Sequence, residues 1–188
     1  MLTLQFNDEA LRLLGVLDGQ LPVPEPSLTD ELEQVLTEGI IRRGSVLVWT
    51  GSSADADAAP GMYHDLTGWE CAHSSFHVED YLPVSAVTSI DGTPDISEPD
   101  QRLLLTQALI FAARFARLVF DLAQPPAVRC IINANETCST FRFNQIRSGE
   151  HWNLPDLDTY KLDKMILVDI GPATPDTPQA IRDRQGTS

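Results

Sequence analysis

The stretch PDQRLLLTQALIFAARFARLVFDLA (99–123) constrains the fold more than any other. Polar side chains recur every seven positions, at Asp100, Gln107, Arg114 and Asp121, with Arg117 beside them. Nearly everything between them is apolar. Seven residues are two turns of α-helix, so the spacing predicts a helix about 37 Å long, buried around most of its girth. Arg114 and Arg117 interrupt the apolar run and argue against a membrane span. Such a helix needs a second layer to pack on.

That layer is written downstream. AVRCIINA (127–134) puts Val128, Cys130 and Ile132 on one face of a strand. STFRFNQIR (139–147) puts Phe141 and Phe143 on one face and Arg142 and Asn144 on the other. KMILVDI (164–170) gathers Ile166, Val168 and Ile170. Alternation with period two is the strand signature, and NETC closes the first pair as a hairpin or short loop. Upstream, Asn7 or Asp8 caps a helix carrying Leu11, Leu13, Leu14 and Leu17, with Gly19 as its stop. LPVPEPS (21–27) reads as an extended connector. Ser27 and Asp30 have capping-box spacing ahead of a helix with Leu28, Leu32, Val35, Leu36, Ile40 and Ile41, ended by Gly39 or Gly44. SVLVWT (45–50) is a short buried strand, and SFHVEDYL and SAVTSI are weaker strand candidates on either side of Pro83. GSSADADAAPG (51–61) and DGTPDISEPD (91–100) read as acidic loops, the first of them mobile. Helices beside an antiparallel sheet predict an α+β fold, with one domain over 1–172, the long helix lying across the sheet, and a flexible C-terminal tail over 173–188.

Charge narrows the function. The net charge is -14, and residues 1–100 account for -15, with 18 acids against Arg12, Arg42 and Arg43; the remainder carries +1. Phosphate backbones and anionic membrane surfaces would be repelled, whereas a basic protein would be attracted. The start, MLTLQFNDEALR, lacks the basic segment and apolar run of a secretory leader. Three cysteines, Cys71, Cys130 and Cys138, with no CxxC pair, fit reduced thiols in a cytoplasmic protein.

One segment invites a chemical reading. ECAHSSFHVED (70–80) holds a thiol, two imidazoles and three carboxylates. His73 and His77 would share a helical face, but Ser74, Ser75, Phe76 and Val78 make a poor helix. On a strand the two imidazoles would stand about 13 Å apart, too far for one metal ion. A hydrolase built on His64, His73 and His77 with nearby carboxylates is the alternative reading, and stoichiometric zinc would mark it. Cys71 is a poor candidate nucleophile, since Glu70, Glu79 and Asp80 would raise its pKa if they are close in space. No P-loop, GxGxxG or GxSxG occurs, so the reading carries no enzyme, metal or cofactor.

A surface reading fits better. Asp55, Asp57, Asp65, Glu70, Glu79, Asp80, Asp91, Asp95, Glu98 and Asp100 occupy a stretch without a single Lys or Arg, interleaved with Tyr63, Trp69, Phe76 and Tyr81. Aromatic anchors ringed by charge are what tight protein interfaces use. This predicts partner-binding residues Asp55, Asp57, Tyr63, Asp65, Trp69, Glu70, Glu79, Asp80, Asp91, Asp95 and Glu98.

The C-terminal third adds a resemblance. STFRFNQIRSGEHWNLPDL followed by YKLDKMILVDIGP has a strand pair, a Gly-Glu-x-Trp turn (Gly149, Glu150, Trp152) and a final hydrophobic strand. Over roughly residues 126–172 it resembles the closing segment of bacterial immunity proteins of contact-dependent growth inhibition and related polymorphic toxin systems. The resemblance implies a stoichiometric inhibitor without catalytic residues. Such a protein covers the active site or substrate surface of a cognate toxin domain, often a basic nuclease, in the cytoplasm. An acidic adaptor or chaperone for a secreted effector is a further alternative.

Overall fold

The computed structural model describes residues 1–15, 27–84, 87–88 and 94–171. In chain order the elements are β1 (Leu2–Phe6), α1 (Asp8–Leu14), α2 (Asp30–Glu38), β2 (Ile40–Arg43), β3 (Val46–Trp49), α3 (Leu66–Ser74), β4 (Phe76–His77), β5 (Val87–Thr88), β6 (Pro94–Asp95), α4 (Glu98–Phe120), β7 (Val128–Ala134), β8 (Ser139–Gln145) and β9 (Lys164–Ile170). The fold is α+β. Five strands form an antiparallel sheet in the order β1-β9-β7-β8-β4, while β2–β3 and β5–β6 are separate two-stranded ribbons.

The alternation read from the three C-terminal strands holds in register. Cys130 faces Phe143 and Val168, and Ile132 faces Phe141 and Ile166, all on one side of the sheet. α4 lies across that side. Leu104, Leu105, Ala108, Phe111, Ala112, Phe115, Ala116 and Val119 are buried there. Trp49 inserts from β3 with edge-on contacts to Phe111, Phe115 and Phe143, and Phe76 joins the cluster against Phe111 and Phe141. Aromatic pairs in this geometry add about 0.5–1.5 kcal/mol each beyond the area they bury. By length and composition alone α4 could cross a membrane, but here its inward face is part of the core.

Several local expectations are corrected. α4 is buried along one face, not around most of its girth; Leu103 and Phe120 are exposed, because α1 and α2 cover only part of its flank. α1 stops at Gly15, whose φ of +67° suits glycine, and not at Gly19, which lies outside the described residues. α2 is capped by Thr29 and ends before Gly39, so Ile40 and Ile41 belong to β2 and pair with β3. β1 is a strand the sequence reading passed over, although Leu2, Leu4 and Phe6 alternate with Thr3 and Gln5. The loop from residue 51 to 61 contains a 3-10 turn, Ala56–Ala58. Of SAVTSI only Val87 and Thr88 are described, as a ribbon with Pro94 and Asp95. Within LPVPEPS only Ser27 is described, and the tail over 173–188 lies outside the described residues.

The other side of the sheet carries α3 and the segment between β8 and β9. Cys71, Ile131, Leu157, Met165 and Leu167 form a smaller core there. α3 includes residues 70–74, which the sequence reading did not make helical. Asp65 caps it by accepting from the Gly68 N–H (2.7 Å), and Glu150 accepts from the Thr67 N–H (2.9 Å). Two N–H groups that a helix start leaves without partners are thereby satisfied, one of them from 83 residues away.

Candidate functional site

α3 runs antiparallel to β8. Glu70 accepts from the Gln145 N–H at the far end of β8 (2.7 Å). Ser74 exchanges hydrogen bonds with the Phe143 backbone, and Glu79 accepts from the Ser139 N–H at the turn end (2.9 Å). A seven-residue strand spans roughly 20 Å, so the acidic residues divide into two groups. Asp55, Asp57 and Asp65 sit beyond the far end. Glu79, Asp80, Asp95, Glu98 and Asp100 sit around the β7–β8 turn. The acids predicted to bind a partner therefore fall into two separate groups.

The group at the turn gains members from elsewhere in the chain. Ile96 donates its N–H to the Glu136 carbonyl (2.7 Å), pinning the segment before α4 against the turn. Asn135 donates to Asp163 (2.8 Å), and the Asp8 N–H donates to Asp158 (2.7 Å). Glu98 is paired with Arg12 at 2.8 Å, which lowers its pKa, and Asp100 accepts from the Ser97 hydroxyl. Asp80, Asp95 and Glu136 are exposed and contact no Lys or Arg among the described residues. Glu136, Asp158 and Asp163 were missed because they are isolated acids in the near-neutral part of the sequence.

The other predicted residues divide by burial. Asp55 and Asp57 are exposed, with Asp55 accepting from the Asp57 N–H. Tyr63 is half-buried against Trp69 and its neighbours. Trp69 is 3% exposed and packs on Val46 and Val48, so it is a core residue and no interface anchor. Phe76 and Tyr81 likewise pack inward. Asp91 lies outside the described residues.

Glu70, placed on the surface by the sequence reading, is fully buried. One oxygen accepts from Leu47 N–H and Gln145 Nε2, the other from Gln145 N–H, and Arg147 spans both at 2.7 and 2.9 Å. Arg147 also donates to the Ser45 carbonyl. Glu70 thus ties β3, α3 and the end of β8 together, and is no part of a docking face.

The chemical readings of the same segment separate too. His73 is in α3, bonded to the Trp69 carbonyl and stacked on its ring; His77 is in β4 beside Glu79; His64 is exposed. Among the described residues no three His, Cys, Asp or Glu side chains gather in metal-binding geometry. Burial, more than the neighbouring acids, pushes the Cys71 thiol up to about 12. It raises Cys130 as well. A thiol reagent applied to the folded protein near pH 8 is therefore expected to modify half-buried Cys138 first, with Cys71 and Cys130 reacting only on unfolding. Native labelling of Cys71 as fast as Cys138 would return it to candidacy as a nucleophile.

Comparison with curated proteins finds no match, and comparison with solved structures finds none either. Among protein families, the sequence matches one described as the uncharacterized protein PM0498 family over residues 17–179. That span runs from before α2 to beyond β9 and covers well over half of the 188 residues. The chain belongs to this family.

Proposed function

We propose that this protein binds a cationic polypeptide through its acidic end, as an immunity protein that occludes a basic toxin domain in the cytoplasm. The observation that carries the reading is the grouping of exposed Asp80, Asp95 and Glu136 around the β7–β8 turn, without Lys or Arg contacts among the described residues. These three acids come from separate parts of the chain, and the Ile96–Glu136 and Ser139–Glu79 hydrogen bonds bring their segments to the same turn. Like charges held together repel one another, and a basic partner relieves that repulsion. The resemblance of residues 126–172 to immunity proteins supplies the more specific part of the proposal. The mechanism is steering by the rim charges, followed by occlusion of the partner's substrate surface.

The test uses any basic toxin domain found encoded beside this chain. Replacing Asp80, Asp95 and Glu136 together by lysine leaves the buried networks untouched. The association rate at low salt is expected to fall about 100-fold, and its salt dependence to flatten. Unchanged stopped-flow kinetics would remove the acidic end from the interface. No binding by the unaltered protein would overturn the immunity role.

A further inference from the structure

We propose that Arg142, Asn133 and Trp152 form an oxyanion-binding site on the side of the sheet opposite α4, for a ligand bearing a carboxylate or phosphate. Arg142 and Thr140 are two apart on β8, and Asn133 stands opposite Thr140 on β7, so the three share one face. Among the described residues, four other arginines pair with carboxylates, Arg12 with Glu9 and Glu98, Arg114 with Glu33, Arg129 with Asp169 and Arg147 with Glu70, while Arg42, Arg43 and Arg102 donate to backbone carbonyls. Arg142 is half-buried and has none among the described residues, in a chain with 27 acids. Its Nη2 donates to the Thr140 hydroxyl at 2.8 Å, and its buried Nε has no acceptor.

The hydrogen-bond chain has a direction. Thr140 receives from Arg142 and passes its own proton to Asn133 Oδ1. Asn133 Oδ1 is thereby occupied. Arg142 Nη1 and the Asn133 NH2 group donate to no acceptor among the described residues, and the buried Nε has none either. Trp152, 42% exposed, lies over the guanidinium at 5.3 Å. An indole partly offsets the cost of burying the charge without consuming its N–H groups. A planar, five-donor fork with unused donors matches an oxyanion. Burial lowers the Arg142 pKa. The Gly-Glu-x-Trp turn gains a structural account here: Gly149 turns at φ +81°, Glu150 supports the start of α3, and Trp152 covers Arg142.

The experiment measures thermal unfolding and tryptophan emission of the full chain in inorganic phosphate, in succinate, and in chloride at matched ionic strength. Of the three tryptophans, Trp69 is buried and Trp49 packs on the core, leaving Trp152, exposed at 42%, as the solvent-facing reporter. The expected result is a saturable rise in Tm of about 5 °C at a hundredfold excess over Kd, with a parallel change in emission. A response to one salt alone identifies phosphate or carboxylate as the source; a response to both identifies the shared chemistry. Arg142→Met should abolish the rise and be at least as stable as the parent in chloride, because it removes a half-buried charge without an ionic partner. Arg142→Lys keeps the charge without the fork and should weaken the response. Identical Tm values in all three salts, or an Arg142→Met protein that still responds, would overturn the site.

Discussion

Glu70→Ala is expected to cost about 3–5 kcal/mol of folding stability, the range for removing one partner of a buried ion pair. The reason is the number of groups it satisfies at once. Without the carboxylate, the Leu47 and Gln145 N–H groups and Gln145 Nε2 lose an acceptor at a fully buried position, and the partly exposed Arg147 guanidinium loses its ionic partner. A small domain has only about 5–15 kcal/mol in total, so the variant approaches the limit of folding. Glu70→Gln keeps the shape but aims an NH2 group at donors, and should recover little. Replacing Glu70 and Arg147 together by leucine should cost less than the sum of the single changes, since no uncompensated charge is left behind. Urea unfolding gives these values from the shift in midpoint at constant slope. A loss below about 1 kcal/mol for Glu70→Ala would show that the network is peripheral to stability.

The sequence shows the sheet more clearly than it shows this network. Phe141 and Phe143 alternate with Arg142 and Asn144, and that pattern gives both strand and facing without further information. The apolar span of α4 is equally plain. Glu70 carries no such signal: it stands in an acidic stretch, and the arginine that buries it is 77 residues away. Trp69 misled for the same reason, since an aromatic beside acids reads alike in a core and in an interface. The acids of 55–100 divide because of chain direction. Asp65 and Glu79 are close in the chain, but α3 lies along β8 and carries them to opposite ends of it. Ile40 and Ile41 continued the apolar period of α2, and a glycine at φ +73° cut that period before it reached them.

Asn7→Ala is expected to cost about 3 kcal/mol, well beyond the roughly 1 kcal/mol of an ordinary helix cap. Asn7 is 1% exposed and uses both ends of its amide. Its oxygen accepts from the Ala10 N–H, capping α1, and from the Met165 N–H at the start of β9. Its NH2 group donates to the carbonyls of Asp163 (2.7 Å) and Tyr160 (3.3 Å). Asn7→Ser retains only the cap and should fall between the two. Asn7→Asp keeps the acceptors but sets a negative charge against two carbonyl oxygens, so it should recover less than the close match in shape suggests. Equal stability for Asn7→Ala and Asn7→Ser would reduce Asn7 to a cap. The functional consequence follows from position: Asn7 anchors residues 160–163, which bring Asp163 to the acidic end beside Asn135. Losing that anchor should weaken partner binding even under conditions where the sheet remains folded. Urea unfolding followed by association kinetics on the same Asn7 variants separates the two effects.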